Sequence, residues 1–153
     1  MKFLIVEDMK IIREEECALL KDVMPECEIC ACTGVTEALT IAGREMFHIA
    51  FLDIELGDVN MDGIMLAKKL KDIQPHLHIV FVTAYKKYAV DAFSIHATGY
   101  LLKPVQKADL ERELTFLYGD KQYTVRRNPN YNRMSKRKNK DGEYTYTKEA
   151  TSV

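Results

Sequence analysis

The sequence predicts an α/β protein with a doubly wound, five-stranded parallel sheet and helices on both faces. Short apolar runs recur along the first 120 residues, and segments whose apolar residues have helical spacing lie between them. The runs do not alternate between polar and apolar residues, which is typical of strands covered on both faces. A strand followed by a helix, five times in succession, requires right-handed crossovers between parallel strands.

Each element is predicted from its own pattern. Four apolar runs predict buried strands, and a fifth, weaker strand is expected over residues 28–32. The four runs cover residues 3–6, 49–52, 79–82 and 100–102. Apolar residues three and four apart predict the helices. These helices are expected over residues 12–23, 36–44, 66–73, 85–93 and 110–117.

The charge divides the chain into two kinds of segment. Residues 1–120 hold 13 Lys and Arg against 20 Asp and Glu, net −7, whereas residues 121–153 hold 9 against 3, net +6. The C-terminal segment also has few large aliphatic side chains and so little means of building a core. We therefore expect one domain over residues 1–119 and a basic, polar extension over residues 120–153.

The composition favours a cytoplasmic protein. The four apolar residues that follow Lys2 are too few for a signal-peptide core or a membrane span. Cys17, Cys27, Cys30 and Cys32 are then expected to be reduced thiols. Cys27 and Cys30 have the spacing of a metal-binding pair, but the chain has no second pair, so we expect core cysteines.

Polar side chains follow the predicted strands at their carboxyl ends. Glu7 and Asp8 follow the first strand, Asp53 the third, Thr83 the fourth and Lys103 the fifth. Ligands of open α/β sheets bind beyond these ends, where the strand order reverses. If the first and third strands are neighbours, three carboxylates converge on one small site.

Such a group of carboxylates predicts a magnesium site. Neighbouring carboxylates repel each other, and a divalent cation relieves the repulsion. Oxygen donors without His or Cys favour Mg²⁺. Because carboxylates form aspartyl-phosphate intermediates, Asp53 is the candidate nucleophile. Lys103 would supply positive charge and Thr83 a hydroxyl hydrogen bond to the phosphoryl oxygens, and the small Ala84 leaves room for them.

These residues resemble the receiver domain of bacterial response regulators. The matching stretches are IVED (5–8), FLDIE (51–55), FVTAY (81–85) and GYLLKP (99–104), and the resemblance covers about residues 1–118. Each motif is weak alone, but their ordered combination is specific. The resemblance implies a flavodoxin-like (CheY-like) fold with strand order 2-1-3-4-5. The run TAYKKYAVDAF followed by YLLKP is also similar to receivers that precede LytTR-type DNA-binding domains.

The resemblance assigns roles to the residues of the site. Asp53 would be the phosphorylation site and Asp8 a direct metal ligand. Glu7 would act on the metal, directly or through water, and the backbone carbonyl of Glu55 would be a further ligand.

Other roles concern the response to phosphorylation. Thr83 and Tyr100 would form the switch pair, in which Thr83 moves toward the phosphate and Tyr100 rotates inward. Lys103 precedes Pro104 in a bond that is usually cis in this family.

The resemblance also implies partners. A sensor histidine kinase would donate the phosphoryl group, and the surface of the fourth helix, fifth strand and fifth helix would bind a partner or a second copy. The output would be transcriptional control. The family leads one to expect an effector domain after the receiver, and the extension over residues 120–153 could be the remnant of a truncated one. From its basic charge we expect an indirect or weak contact with DNA, and we expect no contact with a membrane. Such a domain catalyses its own modification and is not a metabolic enzyme.

The sequence departs from the family pattern after Asp53. Nine residues separate Asp53 from Gly63, two more than the usual loop, and they include Asp58 and Asp62. This insertion could alter metal affinity or kinase docking. Glu55 and Tyr85 each lie two residues beyond a site residue, and we expect these large side chains to slow the attack of water on the phosphorylated site.

Two rival functions remain open at this point. An aspartyl-phosphate phosphohydrolase of the haloacid-dehalogenase type is one, although such enzymes usually place Asp where this chain has Glu55. A transcription factor that acts through its own tail is the other, with a basic cluster that could touch nucleic-acid phosphates. The cluster consists of Arg133, Lys136, Arg137, Lys138 and Lys140.

Overall fold

The computed structural model describes residues 1–118, 132–138 and 144–148. The chain forms two compact units, Met1–Leu110 and Glu111–Val153. The division falls inside the last helix of the sheet domain. The boundary expected near residue 119 therefore stays a prediction. None of the helices in the described ranges is long and apolar enough to cross a membrane.

Strands and helices alternate along residues 2–118, in the order predicted. The strands are β1 (Lys2–Val6), β2 (Glu28–Cys32), β3 (Ile49–Leu52), β4 (His78–Thr83) and β5 (Gly99–Leu102). The helices are α1 (Lys10–Val23), α2 (Val35–Ala42), α3 (Gly63–Ile73), α4 (Ala89–Ser94) and α5 (Lys107–Tyr118). All neighbouring strands of the sheet pair in parallel, in the order β2-β1-β3-β4-β5. The predicted fold class and the strand order implied by the resemblance are confirmed.

The central strands are apolar because both of their faces are covered. β3 is buried along its whole length, and β1 from Phe3 onward. Phe3 and Phe51 meet edge to face, with ring centroids 5.7 Å apart. The register pairs Val6 with Leu52, so that β1 and β3 end side by side. This shared end brings the residues that follow the two strands to one place.

One predicted helix is shorter than expected. The apolar spacing of residues 85–93 predicted a helix from Tyr85, whereas α4 begins at Ala89. Tyr88 is its N-cap residue and has φ −92° and ψ 0°, outside the helical range, and Ala89 N–H donates to the Lys86 carbonyl in a tight turn. Tyr85 therefore lies in the β4–α4 loop, beside the carboxyl end of the sheet.

The cysteines lie on α1, directly before β2 and in β2. All four are free thiols, and Cys27 and Cys32 are buried. Cys30 packs against the core that contains Cys32. Burial raises the pKa of the Cys32 thiol to about 12, so this thiol stays protonated. The expectation of reduced core cysteines agrees with this arrangement.

The C-terminal segment contains a strand pair that the sequence did not predict. β6 (Asn132–Lys138) and β7 (Tyr144–Lys148) pair antiparallel, with a register irregularity between Met134 and Lys138. The prediction of a DNA contact concerns the basic side chains of this segment. These side chains lie outside the described part of the chain, so that prediction stays open.

Candidate functional site

Three carboxylates meet at the shared end of β1 and β3. One oxygen from each of Glu7, Asp8 and Asp53 lies within 4.8 Å of the others. Glu7 and Asp53 are buried, and Asp8 is exposed. The sheet positions them, because Asp53 N–H donates to the Val6 carbonyl at 3.0 Å and Glu7 N–H to the Cys32 carbonyl at 3.1 Å. The predicted convergence of the three carboxylates is therefore present.

Lys103 completes the group and directly follows the edge strand β5. Its Nζ lies 2.7 Å from Glu7 Oε2 and 3.1 Å from Asp53 Oδ2. Its main-chain N–H donates to the Thr83 carbonyl at 2.8 Å, which extends the β4–β5 pairing past the end of the sheet. The bond between Lys103 and Pro104 is cis, as the resemblance implied.

The electrostatics of this group reflect its burial. Burial raises the pKa of the Glu7 carboxyl, and the hydrogen bond from Lys103 opposes this effect. Burial acts to lower the pKa of Lys103, but its hydrogen bonds to Glu7 and Asp53 outweigh that effect, and the pKa is raised. The lysine therefore stays charged between two acids. The oxygen donors of the three carboxylates fit a hard divalent ion.

The two expected switch residues are linked through the main chain of Tyr85. Tyr85 N–H donates to Thr83 Oγ1 at 3.3 Å, and the Tyr100 hydroxyl donates to the Tyr85 carbonyl. Thr83 is fully buried and Tyr100 is half-buried. The Thr83 and Tyr100 hydroxyls therefore bind the two main-chain polar groups of one residue, Tyr85.

Glu55 and the tyrosines of the β4–α4 loop form the mouth of the site. Glu55 N–H donates to Asp53 Oδ1 at 3.3 Å, and Glu55 Oε2 accepts a long hydrogen bond, 3.5 Å, from the Tyr88 hydroxyl. The rings of Tyr85 and Tyr88 meet edge to face at 6.2 Å, and Lys87 Nζ lies 5.1 Å from each ring centroid. The β3–α3 and β4–α4 loops are thus joined across the mouth.

Sequence reasoning missed the part that Tyr88 plays in this contact. The apolar spacing of residues 85–93 predicts that Tyr85 and Tyr88 lie three residues apart on one helix. A signal was available in the sequence. The two tyrosines follow Thr83, a candidate site residue at the end of β4, within five residues.

The two acids of the long β3–α3 loop, Asp58 and Asp62, accept hydrogen bonds from main-chain N–H groups. Asp58 Oδ1 accepts from the N–H groups of Asn60 and Met61, at 2.8 and 3.2 Å. Asp62 caps α3, because its Oδ1 accepts from Met65 N–H at 2.9 Å. The loop reverses at Gly57, whose φ of +72° suits glycine. Both acids therefore order the inserted loop, and neither belongs to the carboxylate group described above.

Two further residues near the site were not singled out from the sequence. Gly63 is buried, and its N–H donates to the Ile54 carbonyl at 2.7 Å. Glu16 is buried on α1, and its Oε2 has no hydrogen-bond partner in the described residues. Burial, with smaller contributions from Glu7 and Asp53, raises the pKa of Glu16 to about 8. Glu16, Leu20 and Val23 share the spacing of a buried helical stripe, which was the signal for this glutamate.

The fold and the site together define a doubly wound α/β domain with an acidic, lysine-containing pocket at the carboxyl ends of its strands. Residues 3–115 match the family model of the response regulator receiver domain. The chain belongs to the response regulator receiver domain family. The resemblance found in the sequence is thereby confirmed.

Curated relatives are longer proteins. The chain is 40% identical over 109 residues to the sensory transduction protein LytR of Staphylococcus epidermidis, which covers 70% of this chain and 42% of that protein. It is 37% identical over 112 residues to the transcriptional regulatory protein LytR of Staphylococcus aureus, which covers 73% of this chain and 45% of that protein. The chain thus matches less than half of the length of either relative.

Solved structures share the fold. The response regulatory domain of protein mrkE from Klebsiella pneumoniae superposes with a TM-score of 0.70 at 30% identity, over 78% of this chain and 97% of that one. The response regulator protein TrrA from Thermotoga maritima, in complex with Mg²⁺-BeF, gives a TM-score of 0.67 at 26% identity, over 76% and 97%.

Proposed function

We propose that Asp53 accepts a phosphoryl group from a sensor histidine kinase and that the modified domain switches the surface it presents to a partner. The observation that carries this proposal is the grouping of Asp53 with Glu7 and Asp8, with the Lys103 ammonium on Asp53 Oδ2. A carboxylate nucleophile beside a fixed positive charge suits phosphoryl transfer, which depends on positioning and charge stabilisation.

Mg²⁺ would be held by Glu7, Asp8, Asp53 and the backbone carbonyl of Glu55. When bound, it would neutralise the charge of the acids and of the phosphoryl oxygens. The chain itself supplies the nucleophile: a carboxylate oxygen of Asp53 forms a bond to phosphorus as the bond from phosphorus to the kinase imidazole breaks. Lys103 remains protonated and binds a phosphoryl oxygen, and the Thr83 hydroxyl donates to another.

The output is proposed from the relatives. The LytR protein of Staphylococcus aureus is named as a transcriptional regulator, and we place this domain in the same kind of transcriptional control, without metabolic turnover. Val90 and Phe93 on α4 and Leu102 on β5 are exposed apolar residues, which supports a dimer or partner surface on the α4, β5 and α5 face. An indirect or weak contact with DNA through the basic tail and a cytoplasmic location complete the proposal.

Phosphorylation by a small-molecule donor tests the proposal. Acetyl phosphate with Mg²⁺ is expected to add one phosphoryl group to the wild-type chain, measured by intact-protein mass spectrometry. The Asp53→Asn variant is expected to gain none, because its amide is not a nucleophile. Beryllofluoride is expected to bind the wild type only with Mg²⁺. A wild-type chain that gains no Mg²⁺-dependent adduct from either reagent would refute the proposal.

The mouth residues are expected to set the lifetime of the phosphorylated state. Glu55→Ala and Tyr85→Ala should each open a path for water to Asp53, and we expect the half-life of the acyl phosphate to fall by about tenfold, or ~1.4 kcal/mol in activation free energy. Release of inorganic phosphate from the purified phosphoprotein measures this rate.

A matched control distinguishes the loss of shielding by Glu55 or Tyr85 from a general loosening of the domain. Ile73→Ala truncates an exposed side chain at the C-terminal end of α3, and its phosphoprotein should decay at the wild-type rate. Equal lifetimes in all variants would count against a shielding role for Glu55 and Tyr85.

A further inference from the structure

The loop that carries Glu7 and Asp8 is short, and one of its own side chains supports it: Glu7 Oε1 accepts a hydrogen bond from Met9 N–H at 3.2 Å. It connects β1 to α1 through residues 7–9. The N-cap residue of α1 is Met9, whose side chain makes no capping hydrogen bond, and the first turn holds no acidic residue. The N-cap residue and the first turn therefore supply no capping side chain at the start of α1.

Arg13 supplies the support that the cap does not. Its N–H closes the first turn of α1 on the Met9 carbonyl at 2.9 Å. Its guanidinium then reaches back along the helix, and Nη1 donates to the Glu7 carbonyl at 2.8 Å and, at the 3.5 Å limit, to the Asp8 carbonyl. Both bonds go to main-chain oxygens, so the guanidinium occupies no carboxylate oxygen of Glu7 or Asp8.

We propose that Arg13 is a positioning residue for the metal site: it fixes the peptides of Glu7 and Asp8 so that their carboxylates face Asp53. The inference rests on the proposed magnesium site and adds a residue to it. A guanidinium keeps its charge at all relevant pH values and donates several N–H groups in one plane, so it can hold two adjacent carbonyls at once. Groups that orient metal ligands in this way typically change metal affinity by 10–100-fold when removed.

The same turn of α1 offers a control for charge. Lys10 is exposed, and its Nζ lies 3.9 Å from Glu14 Oε1, at the limit for an ion pair. Lys10→Met removes one positive charge from the first turn, as Arg13→Met does, but it leaves the loop hydrogen bonds in place. Arg13→Lys keeps the charge and loses the planar set of donors.

Two measurements on the full chain test the role of Arg13. In titration calorimetry, Arg13→Met is expected to bind Mg²⁺ at least tenfold more weakly than the wild type. Lys10→Met should stay within about threefold, and Arg13→Lys should fall between them. Urea unfolding of each variant shows whether the fold is kept. A loss of Mg²⁺ affinity in Arg13→Met at wild-type stability would show that Arg13 positions the site and does not merely stabilise the fold.

The second measurement uses the metal-free protein. In amide NMR spectra, Arg13→Met should shift or broaden the signals of Asp8 and Met9, whereas Lys10→Met should leave them in place. Wild-type signals for these amides in Arg13→Met, or equal losses of Mg²⁺ affinity in Arg13→Met and Lys10→Met, would overturn the inference. A wild type that binds no Mg²⁺ would refute the proposed function, and the metal-free spectra would still decide the role of Arg13 in the loop.

Discussion

Gly63→Ala is expected to lower the free energy of unfolding by more than about 3 kcal/mol, which exceeds the usual cost of an added methyl group in a core. A Cβ at this position would lie 2.0 Å from the Asp53 carbonyl oxygen and 2.7 Å from Ile54 Cα. Both atoms belong to the main chain, so no side-chain rotation can relieve the clash. The β3–α3 loop has to move, and Asp53 moves with it.

Urea unfolding of the variant measures the loss of stability. Gly43→Ala is the matched control, because its Cβ would meet only ordinary contacts of 3.5 and 3.6 Å. That variant should be as stable as the wild type or more stable by up to about 1 kcal/mol. Where Gly63→Ala still folds, it should accept the phosphoryl group of acetyl phosphate more slowly. Wild-type stability in Gly63→Ala would contradict the expectation, because the loop would then accept a Cβ beside the Asp53 carbonyl without cost.

The metal-free domain is expected to lose stability as the pH rises from about 4.5 to about 8. The Glu16 carboxyl has a pKa of about 8 in the folded protein, against its usual 4.5, because it is buried. Between these values the folded chain binds a proton that the unfolded chain has released, so protonation favours the folded state at low pH and the advantage is lost as the pH rises. The steepest slope for one group is about 1.4 kcal/mol per pH unit, and the total is a few kcal/mol.

Glu16→Gln isolates this contribution. An amide cannot ionise, so we expect the variant to match the wild type near pH 4 and to be more stable by a few kcal/mol at pH 8. Urea unfolding across this pH range, in the absence of divalent ions, measures the difference. Glu15→Gln removes the same charge from an exposed position of α1 and should leave the slope unchanged. Parallel curves for the wild type and Glu16→Gln would contradict the expectation.

The sequence was most informative where one pattern determined one structure. Uninterrupted apolar runs predicted the strands, and because parallel strands end at one edge, residues as distant as Glu7 and Lys103 could be placed together before any contact was known. Their meeting is visible in the 2.7 Å ion pair. The strand order itself came from the family resemblance, since apolar runs do not specify which strands are neighbours.

The remaining features depend on geometry that no local pattern encodes. The start of α4 at Ala89 is decided by a turn at residues 86–89, although the apolar spacing continued back to Tyr85. The tight fit of Gly63 against the Asp53 carbonyl depends on how a loop with two extra residues closes. The contacts of Arg13 with the main chain are invisible in a sequence, because any helix may carry an arginine in its first turn.

The distribution of the site over the strands has a consequence for how the protein can be assayed. Glu7 and Lys103 are 96 residues apart in the chain, and Asp53 and Lys103 are 50 apart, yet each pair is in contact. Contacts of such long sequence separation require β1, β3 and β5 to be brought together, which is a slow step in folding. No fragment short of β1 to β5 contains the whole site, so acyl-phosphate formation should report folded molecules, and a folding intermediate in which β5 is not yet paired should form no acyl phosphate.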